Sequence, residues 1–458
     1  MFRRILIANR GEIAIRIARA AASLGIDSIA VFAEDDDRSL HVAAADRAVA
    51  LTGRGVAAYL DGAQIIAVAK SEGCDALHPG YGFLAENAGF AEHCKAAGLT
   101  FIGPSPETLA LFGDKLAARK LAESAGVPVA EGTARPVDVG CAEAFMRKLG
   151  EGVPVMVKAA AGGGGRGMRV VETVADMAEA FERCRSEAKA AFGDDRIFVE
   201  RFIPAARHVE VQVLGDALGH VGHLFERDCS LQRRHQKLVE IAPAPGLSEA
   251  MRGKLFEAAL NLARAAHYRT VGTVEFLVAP DESGFWFMEA NPRLQVEHTV
   301  TEAVTGIDLV AAQIRLAAGA ALSSLGLDGV APKGFAIEAR INLEVIAPDG
   351  AARPAAGVIA TYELPGGPGI RVDGAGYAGY PVNPGFDPLI AKLIVLDGSG
   401  EFPRAVAALR RALRQTRIEG VASNIAFLEA LLAEEAVAEG QLDNRLVERL
   451  GSRLAGAV

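Results

Sequence analysis

The residues Val271-Gly-Thr-Val-Glu275-Phe-Leu-Val-Ala279, Pro280-Asp-Glu-Ser-Gly284 and Phe285-Trp-Phe-Met-Glu289-Ala-Asn291 follow one another without interruption. Two runs rich in β-branched and aromatic residues, separated by five turn-forming residues, predict a β-hairpin. If Ala279 pairs with Phe285, counting back along both strands sets Glu275 opposite Glu289 on one face of the sheet. Asn291, two residues on, shares that face. Two carboxylates opposed inside apolar strands repel and lose hydration, so the pattern calls for a cation between them. Oxygen-only donors favour magnesium or manganese, which keep waters and bind substrate phosphates beside one or two carboxylates. A register slip of one residue would instead turn one glutamate to solvent.

Immediately downstream, Arg293-Leu-Gln295-Val296-Glu297-His298 carries the polar face onward at its odd positions. A forked guanidinium, an amide and a carboxylate together suit a small planar oxyanion that must lose a proton. Upstream, Val155-Met-Val-Lys158-Ala-Ala-Ala161 runs into Gly162-Gly163-Gly164-Gly165-Arg166-Gly167 and leaves as the strand Met168 to Val171. A Walker loop needs Gly-Lys-Ser/Thr opening a helix, which is absent. Here glycines let backbone N–H groups approach an anion, and Lys158 adds a point charge. A glycine run by itself is more often a flexible hairpin tip; the lysine, the arginine and the separate two-carboxylate hairpin raise its weight. The cationic run Arg227 to Lys237 reads either as a solvated face or as a nucleic-acid patch, and the lack of interleaved aromatics disfavours the latter.

Length and composition set the frame for these motifs. A chain of 458 residues exceeds what one core organises, so two or three domains sharing a cleft are expected. A net charge of −9 opposes nonspecific binding to a phosphate backbone. The five cysteines are scattered, odd in number and without a Cys-x-x-Cys pair, which fits a reducing cytoplasm and no zinc site. Cys229 is expected to be a small buried packing residue. No apolar segment reaches the roughly 18 residues a membrane span needs, and the N-terminus passes straight into a strand.

That strand, Ile5 to Ala8, leads through Asn9-Arg10-Gly11-Glu12 into an amphipathic helix from about Ile13 to Leu24 and a strand at Ile29 to Phe32, a βαβ start. Gly11 stands alone where a dinucleotide fold would carry Gly-x-Gly-x-x-Gly, so dinucleotide binding is not supported. A helix from Lys115 to Ala125, strands at Val153 to Ala159 and Ile197 to Arg201, a helical Ala175 to Ala191 and a strand at Ala336 to Leu343 complete the coarse reading. There is no internal repeat.

Five runs then carry a resemblance: residues 5–12 (Ile-Leu-Ile-Ala-Asn-Arg-Gly-Glu), 78–87 (His-Pro-Gly-Tyr-Gly-Phe-Leu-Ala-Glu-Asn), the glycine loop, 226–237 and 289–298. Together, in order, and over nearly the whole chain to about residue 447, they resemble biotin carboxylases of the ATP-grasp superfamily. The resemblance implies a mixed α/β and α+β chain. It would comprise an N-terminal Rossmann-like domain (1–113), an ATP-grasp domain (114–331, with a lid at about 130–203), a C-terminal biotin carboxylase domain (332–447) and a tail (448–458).

For ATP it implies Lys115, Lys158, the loop glycines Gly163, Gly164, Gly165 and Gly167, Glu200, Ile203, His208, Gln232, His235 and Lys237. Glu275, Glu289 and Asn291 would ligate magnesium or manganese, two ions in all. Arg293, Gln295 and the Val296 backbone would hold bicarbonate, with Glu297 as general base and Arg340 stabilising the biotin enolate. Lys237 and Arg293 would join them as catalytic groups. Tyr81 and Asp387 would lie near biotin, or help position Arg340. The implied reaction makes carboxyphosphate from ATP and bicarbonate, then carboxylates biotin, with the glycine loop closing as a lid that excludes water.

The chain reads Glu-Ala-Asn-Pro-Arg where freestanding subunits commonly read Glu-Met-Asn-Thr-Arg, and Gly385-Phe386-Asp387 where they have Tyr-Tyr-Asp. These variants look more like carboxylase domains inside single-chain acyl-CoA carboxylases. No biotin-accepting Met-Lys-Met occurs, so a biotin carrier on another subunit or domain, a carboxyltransferase and a homodimer or larger assembly are the expected partners. Another ATP-grasp carboxylate-amine ligase and an idle ATP-binding regulatory module are the competing readings.

Overall fold

The structure is a computed structural model that describes residues 1–162, 167–347 and 350–455. It opens with β1 (Arg4–Ile7), α1 (Gly11–Ser23) and β2 (Asp27–Phe32), the expected βαβ start with shifted ends. β3 (Arg47–Ala50), β4 (Ala76–His78) and β5 (Thr100–Phe101) complete a parallel sheet in the order β3-β2-β1-β4-β5. Ile5, Leu6 and Ile7 are all buried because helices cover both faces of the sheet, and α1 packs its Ile13 and Ile17 onto it.

The glycine-loop region is a small unit with its own core. β6 (Val155–Ala159) lies between β7 (Met168–Val171) and β8 (Ile197–Arg201), backed by the helices Val139–Leu149 and Met177–Phe192.

The largest sheet is antiparallel throughout. It is built from β9 (Arg207–Gly215), β10 (Val221–Arg233), β11 (Gln236–Ala242), β12 (Thr270–Val278), β13 (Phe285–Asn291) and β14 (Phe335–Asn342). Three short ribbons flank it: β15 (Glu344–Ile346) pairs with β16 (Ala352–Pro354), β17 (Gly357–Val358) with β20 (Pro381–Val382), and β18 (Thr361–Glu363) with β22 (Arg417–Glu419). β19 (Ile370–Gly374) and β21 (Leu389–Asp397) close the order β13-β12-β9-β10-β11-β14-β21-β19.

One consequence positions the site. The β11–β14 ladder joins the C-terminal strands to the central ones edge to edge, and sets Glu338 beside Glu240. Arg340, two residues along the same face, is thereby aimed at the polar side of the central strands. No described helix is long and apolar enough to cross a membrane.

Candidate active site

β12 and β13 pair antiparallel with Glu275 opposite Glu289, as the hairpin reading requires, but by a different route. Val278, not Ala279, pairs with Phe285, and Ala279 N–H instead bonds Gly284 O at 2.9 Å to close the turn. A bulge then makes Met288 an extra residue on β13, which shifts the register by one and restores the glutamate pair.

β12 also pairs with β9, placing Glu210 beside Glu275, and β9 pairs with β10, placing Arg227 beside Glu210. Three neighbouring strands therefore line up Glu289, Glu275 and Glu210. Such a row is tenable only with cations against it. Lys115 Nζ lies 3.3 Å from Glu289, and His208 Nε2 lies 2.9 Å from Glu275. Arg227, fully buried, donates from Nε to Glu210 at 2.5 Å and from its other nitrogens to Gln212, Thr301 and Thr273.

Lys237 is the hub. Its ammonium donates to Glu210 Oε2 at 2.7 Å, Glu275 Oε1 at 2.9 Å and Glu297 Oε1 at 2.7 Å. The second oxygen of Glu297 accepts from Arg340 Nη2 at 3.0 Å, while Arg340 Nε is held by Glu240 at 2.5 Å. Burial works against ionised Glu297, yet Lys237, Arg340 and Arg227 outweigh it and hold the carboxyl well below the usual range. Glu275 is likewise held low, burial being overcome by Lys237 and then His208. Glu210 goes the other way: burial raises its pKa despite Arg227 and Lys237.

The oxyanion group assembles on the next residues. Arg293 Nη1 donates to Gln295 Oε1 at 2.8 Å and Nη2 to Asn291 Oδ1 at 3.2 Å, and Arg293 Nε lies 3.4 Å from Glu86. Gln295 Nε2 and Asn291 Nδ2 both reach Glu275 Oε1, at 3.2 and 2.8 Å. Val296 O accepts from Lys392 Nζ at 2.9 Å.

Glu275, Glu289 and Asn291 offer only oxygen donors on adjacent strands, and ligand atoms of His208, Glu210 and Glu275 lie within 4.8 Å of one another. Because Glu275 is held ionised and the carboxylates each face an ammonium in this state, the set fits a hard divalent cation.

Of the residues expected to meet the nucleotide, Lys115, His208 and Lys237 reach the glutamate row. Lys158 is buried and hydrogen-bonds Glu200, which also meets Arg119. Ile203 lines a cavity of about 420 Å³ with Val129, Phe202, Pro204 and Trp286. Gln232 bridges His208 Nδ1 at 2.6 Å and Cys229 O at 2.7 Å. His235 sits exposed at the β10–β11 turn with φ +66°. Gly167 adopts φ +67°, and a Cβ there would come within 3.1 Å of Ala159. Gly163, Gly164 and Gly165 lie outside the described residues.

The Tyr81 hydroxyl donates to Glu12. Asp387 is exposed and turns back on its own loop, accepting from Leu389 N at 2.9 Å, and among the described residues it makes no bond to Arg340. Its neighbour Phe386 is buried, 4.0 Å beneath the Arg10 guanidinium and edge-on to Tyr59, so this loop is anchored by the aromatic residue. Cys229 is buried 3.9 Å from Glu297, with its thiol pushed well up by burial and by Glu210, as befits an inert packing residue.

Glu210, Glu240 and Lys392 were not singled out from the sequence, and Arg227 entered only as the first residue of the cationic run. The strict alternation His208-Val-Glu210-Val-Gln212 inside an apolar strand, and the single charge in Leu389-Ile-Ala-Lys392-Leu-Ile-Val395, were the available signals.

The biotin carboxylase N-terminal domain model matches residues 1–109, the ATP-binding domain model of the carbamoyl-phosphate synthase L chain matches 114–325, and the biotin carboxylase C-terminal domain model matches 338–449. Pyruvate carboxylase of Aspergillus terreus is 47% identical over 447 residues, 96% of this chain and 37% of that protein, so the chain spans little more than a third of this relative. Among solved structures, the biotin carboxylase domain dimer of Hydrogenobacter thermophilus 2-oxoglutarate carboxylase, in complex with MgADP, ADP and bicarbonate, superposes with a TM-score of 0.93 at 40% identity. It covers 99% of both chains. A single-chain, multi-domain long-chain acyl-CoA carboxylase superposes with a TM-score of 0.88 at 42% identity, over 100% of this chain and 43% of that one.

Proposed function

The chain belongs to the biotin carboxylase family, and from that premise we propose that its polar face transfers the γ-phosphoryl of ATP to bicarbonate and then carboxylates biotin. The observation that carries the reading is Glu297, one carboxylate oxygen on Lys237 and the other on Arg340. Arg293 and Gln295 orient bicarbonate beside it, and Glu297 takes the bicarbonate proton as the oxygen attacks the γ-phosphorus, expelling ADP and leaving carboxyphosphate. Magnesium or manganese, held by Glu275, Glu289 and Asn291, supplies neutralisation of phosphate charge when bound. Lys115, Lys158, His208 and Lys237 add fixed positive charge along the phosphates.

Lys237 links the two duties. In the present state it sits on three carboxylates, and phosphate oxygens compete for the same ammonium. Once it turns toward phosphate, Glu297 loses its strongest counter-charge and becomes the better base. Carboxyphosphate splits to CO2 and phosphate, the phosphate removes the ureido proton of biotin, and Arg340 stabilises the oxygen that becomes negative before nitrogen attacks CO2.

A carrier bearing biotin and a carboxyltransferase are the proposed partners, with a homodimer as the proposed assembly. For the final acceptor we favour pyruvate, supported by the names of the curated relatives. The acyl-CoA carboxylase expected from the Glu-Ala-Asn-Pro-Arg and Gly385-Phe386-Asp387 variants together is a second reading, favoured by the long-chain acyl-CoA carboxylase match. A reducing cytoplasm is proposed as the setting, supported by five free cysteines.

The test is ATP turnover with and without bicarbonate, then with free biotin added. Bicarbonate-dependent turnover raised by biotin is expected. Turnover indifferent to bicarbonate would favour an amine-directed ligase, and tight ATP binding without hydrolysis would favour an idle module.

A further inference from the structure

Lys392 is fully buried in a strand whose only other charged residue is the terminal Asp397. Its register partner on β14 is Arg340, so two cations stand side by side across the ladder. Opposed like charges weaken a sheet, and a buried ammonium is costly unless its protons are all used. Against that repulsion its register partner on β19 is Asp373, and Glu12, Glu338 and Asp373 together outweigh burial and keep the ammonium charged. Its nitrogen is directed at two groups outside its own sheet: Glu12 Oε1 of α1 at 3.3 Å, and Val296 O at 2.9 Å.

Val296 O belongs to the peptide whose nitrogen is that of Glu297. Because the peptide is planar, fixing this oxygen fixes the direction in which the Glu297 backbone leaves it. Glu12 in turn accepts from Tyr81 of the 78–87 loop. A continuous chain, Tyr81 to Glu12 to Lys392 to Val296, so joins the biotin-side loop, the first helix and a C-terminal strand to the run proposed to hold bicarbonate. Of these, Lys392 alone touches the carbonyl, and Glu12 and Tyr81 act through it.

We propose that Lys392, held by Glu12, is a positioning residue for the bicarbonate step, setting the Val296–Glu297 peptide and thereby the aim of the base without touching substrate. The proposal rests on the carboxylase reading above. It differs from a merely structural ion pair in what it moves: bicarbonate handling changes while the nucleotide end, built on Lys158, Glu200 and Ile203, does not.

The experiment compares the wild-type chain with Lys392→Met, which keeps length and loses the charge. The readouts are KM for bicarbonate, kcat, and Kd for ADP with magnesium. Loss of a charge-assisted hydrogen bond predicts a rise of about tenfold or more in bicarbonate KM, with Kd for MgADP unchanged within about twofold. Wild-type values of bicarbonate KM and kcat in the variant would overturn the proposal, and so would an equal loss of MgADP and bicarbonate affinity.

Should Lys392→Met fail to fold, Glu12→Gln is read in its place. It keeps an oxygen for Lys392 and Tyr81 but removes the counter-charge, which is fully present only above the Glu12 pKa of about 7, so in assays at about pH 8 the expected rise is about threefold under the same split. A Glu12→Gln enzyme with wild-type bicarbonate KM overturns the proposal. Wild-type turnover indifferent to bicarbonate would instead sink the carboxylase reading, and this inference with it.

Discussion

At Glu297 two cations share one carboxylate, Lys237 at 2.7 Å and Arg340 at 3.0 Å, and the balance between them decides what the residue does. A carboxylate so stabilised is ionised throughout the neutral range but is a poor base until one partner leaves. Glu297→Gln tests this at the level of one atom. The amide keeps the shape and cannot take a proton, so bicarbonate-dependent ATP turnover is expected to fall by about 10²- to 10⁴-fold, with Kd for MgADP close to wild type. Steady-state kinetics with a nucleotide titration checks it, and unchanged turnover removes Glu297 from the mechanism. Residues adjacent in the chain, Arg293, Gln295 and Glu297, were legible as a group because alternation alone puts them on one side. Glu210, Glu240 and Lys392, which hold Lys237, Arg340 and the Val296 carbonyl around them, were not, since each comes from a strand whose neighbour is set only by the folded sheet order.

The β12–β13 hairpin shows where strand counting succeeds and where it needs the structure. Glu275 and Glu289 face each other as expected, although the turn closes one residue tighter and the bulge at Met288 makes up the difference. Bulges are invisible to a count along two regular strands, so the pair was reached with two compensating errors. Upstream in β12, Gly272 has no room for a side chain: a Cβ would lie 2.0 Å from the Tyr268 hydroxyl, which donates to Val271 O at 3.1 Å. Tyr268 is buried against Phe112, so it has nowhere to retreat. Gly272→Ala is expected to cost about 1–3 kcal/mol through overpacking and to displace the strand that bears Glu275. Urea denaturation reads the first effect, and a weakened MgADP affinity reads the second. Stability equal to wild type would show that β12 tolerates the shift.

Across the whole molecule, the buried charges make stability depend on pH in a way their positions dictate. Burial raises the carboxyls of Glu12 and Glu338 to about 7 and that of Glu240 to about 8, against the pull of Lys392 and Arg340. Between about 4.5 and those values the folded chain keeps protons that the unfolded chain has released, so these three groups make stability fall as pH rises. Burial also lowers the imidazoles of His41 to about 4, His78 to about 3 and His298 well below its usual value. There the unfolded chain binds protons that the folded chain does not, so stability rises with pH up to the unfolded histidine value of about 6.5. His223 and His235 are lowered by burial in the same sense and Glu210 is raised by it, so the two sets oppose each other up to that point, and above it the histidine contribution is complete. The glutamates then act alone, and unfolding free energy is expected to decline from about pH 6.5 to about pH 8. Glu12→Gln removes one of these titrations and should flatten the decline in chemical denaturation measured across that range. A wild-type profile that rises instead would mean that Glu12, Glu240 and Glu338 are already ionised in the folded chain at pH 6.5, with Lys392 and Arg340 fully balancing them.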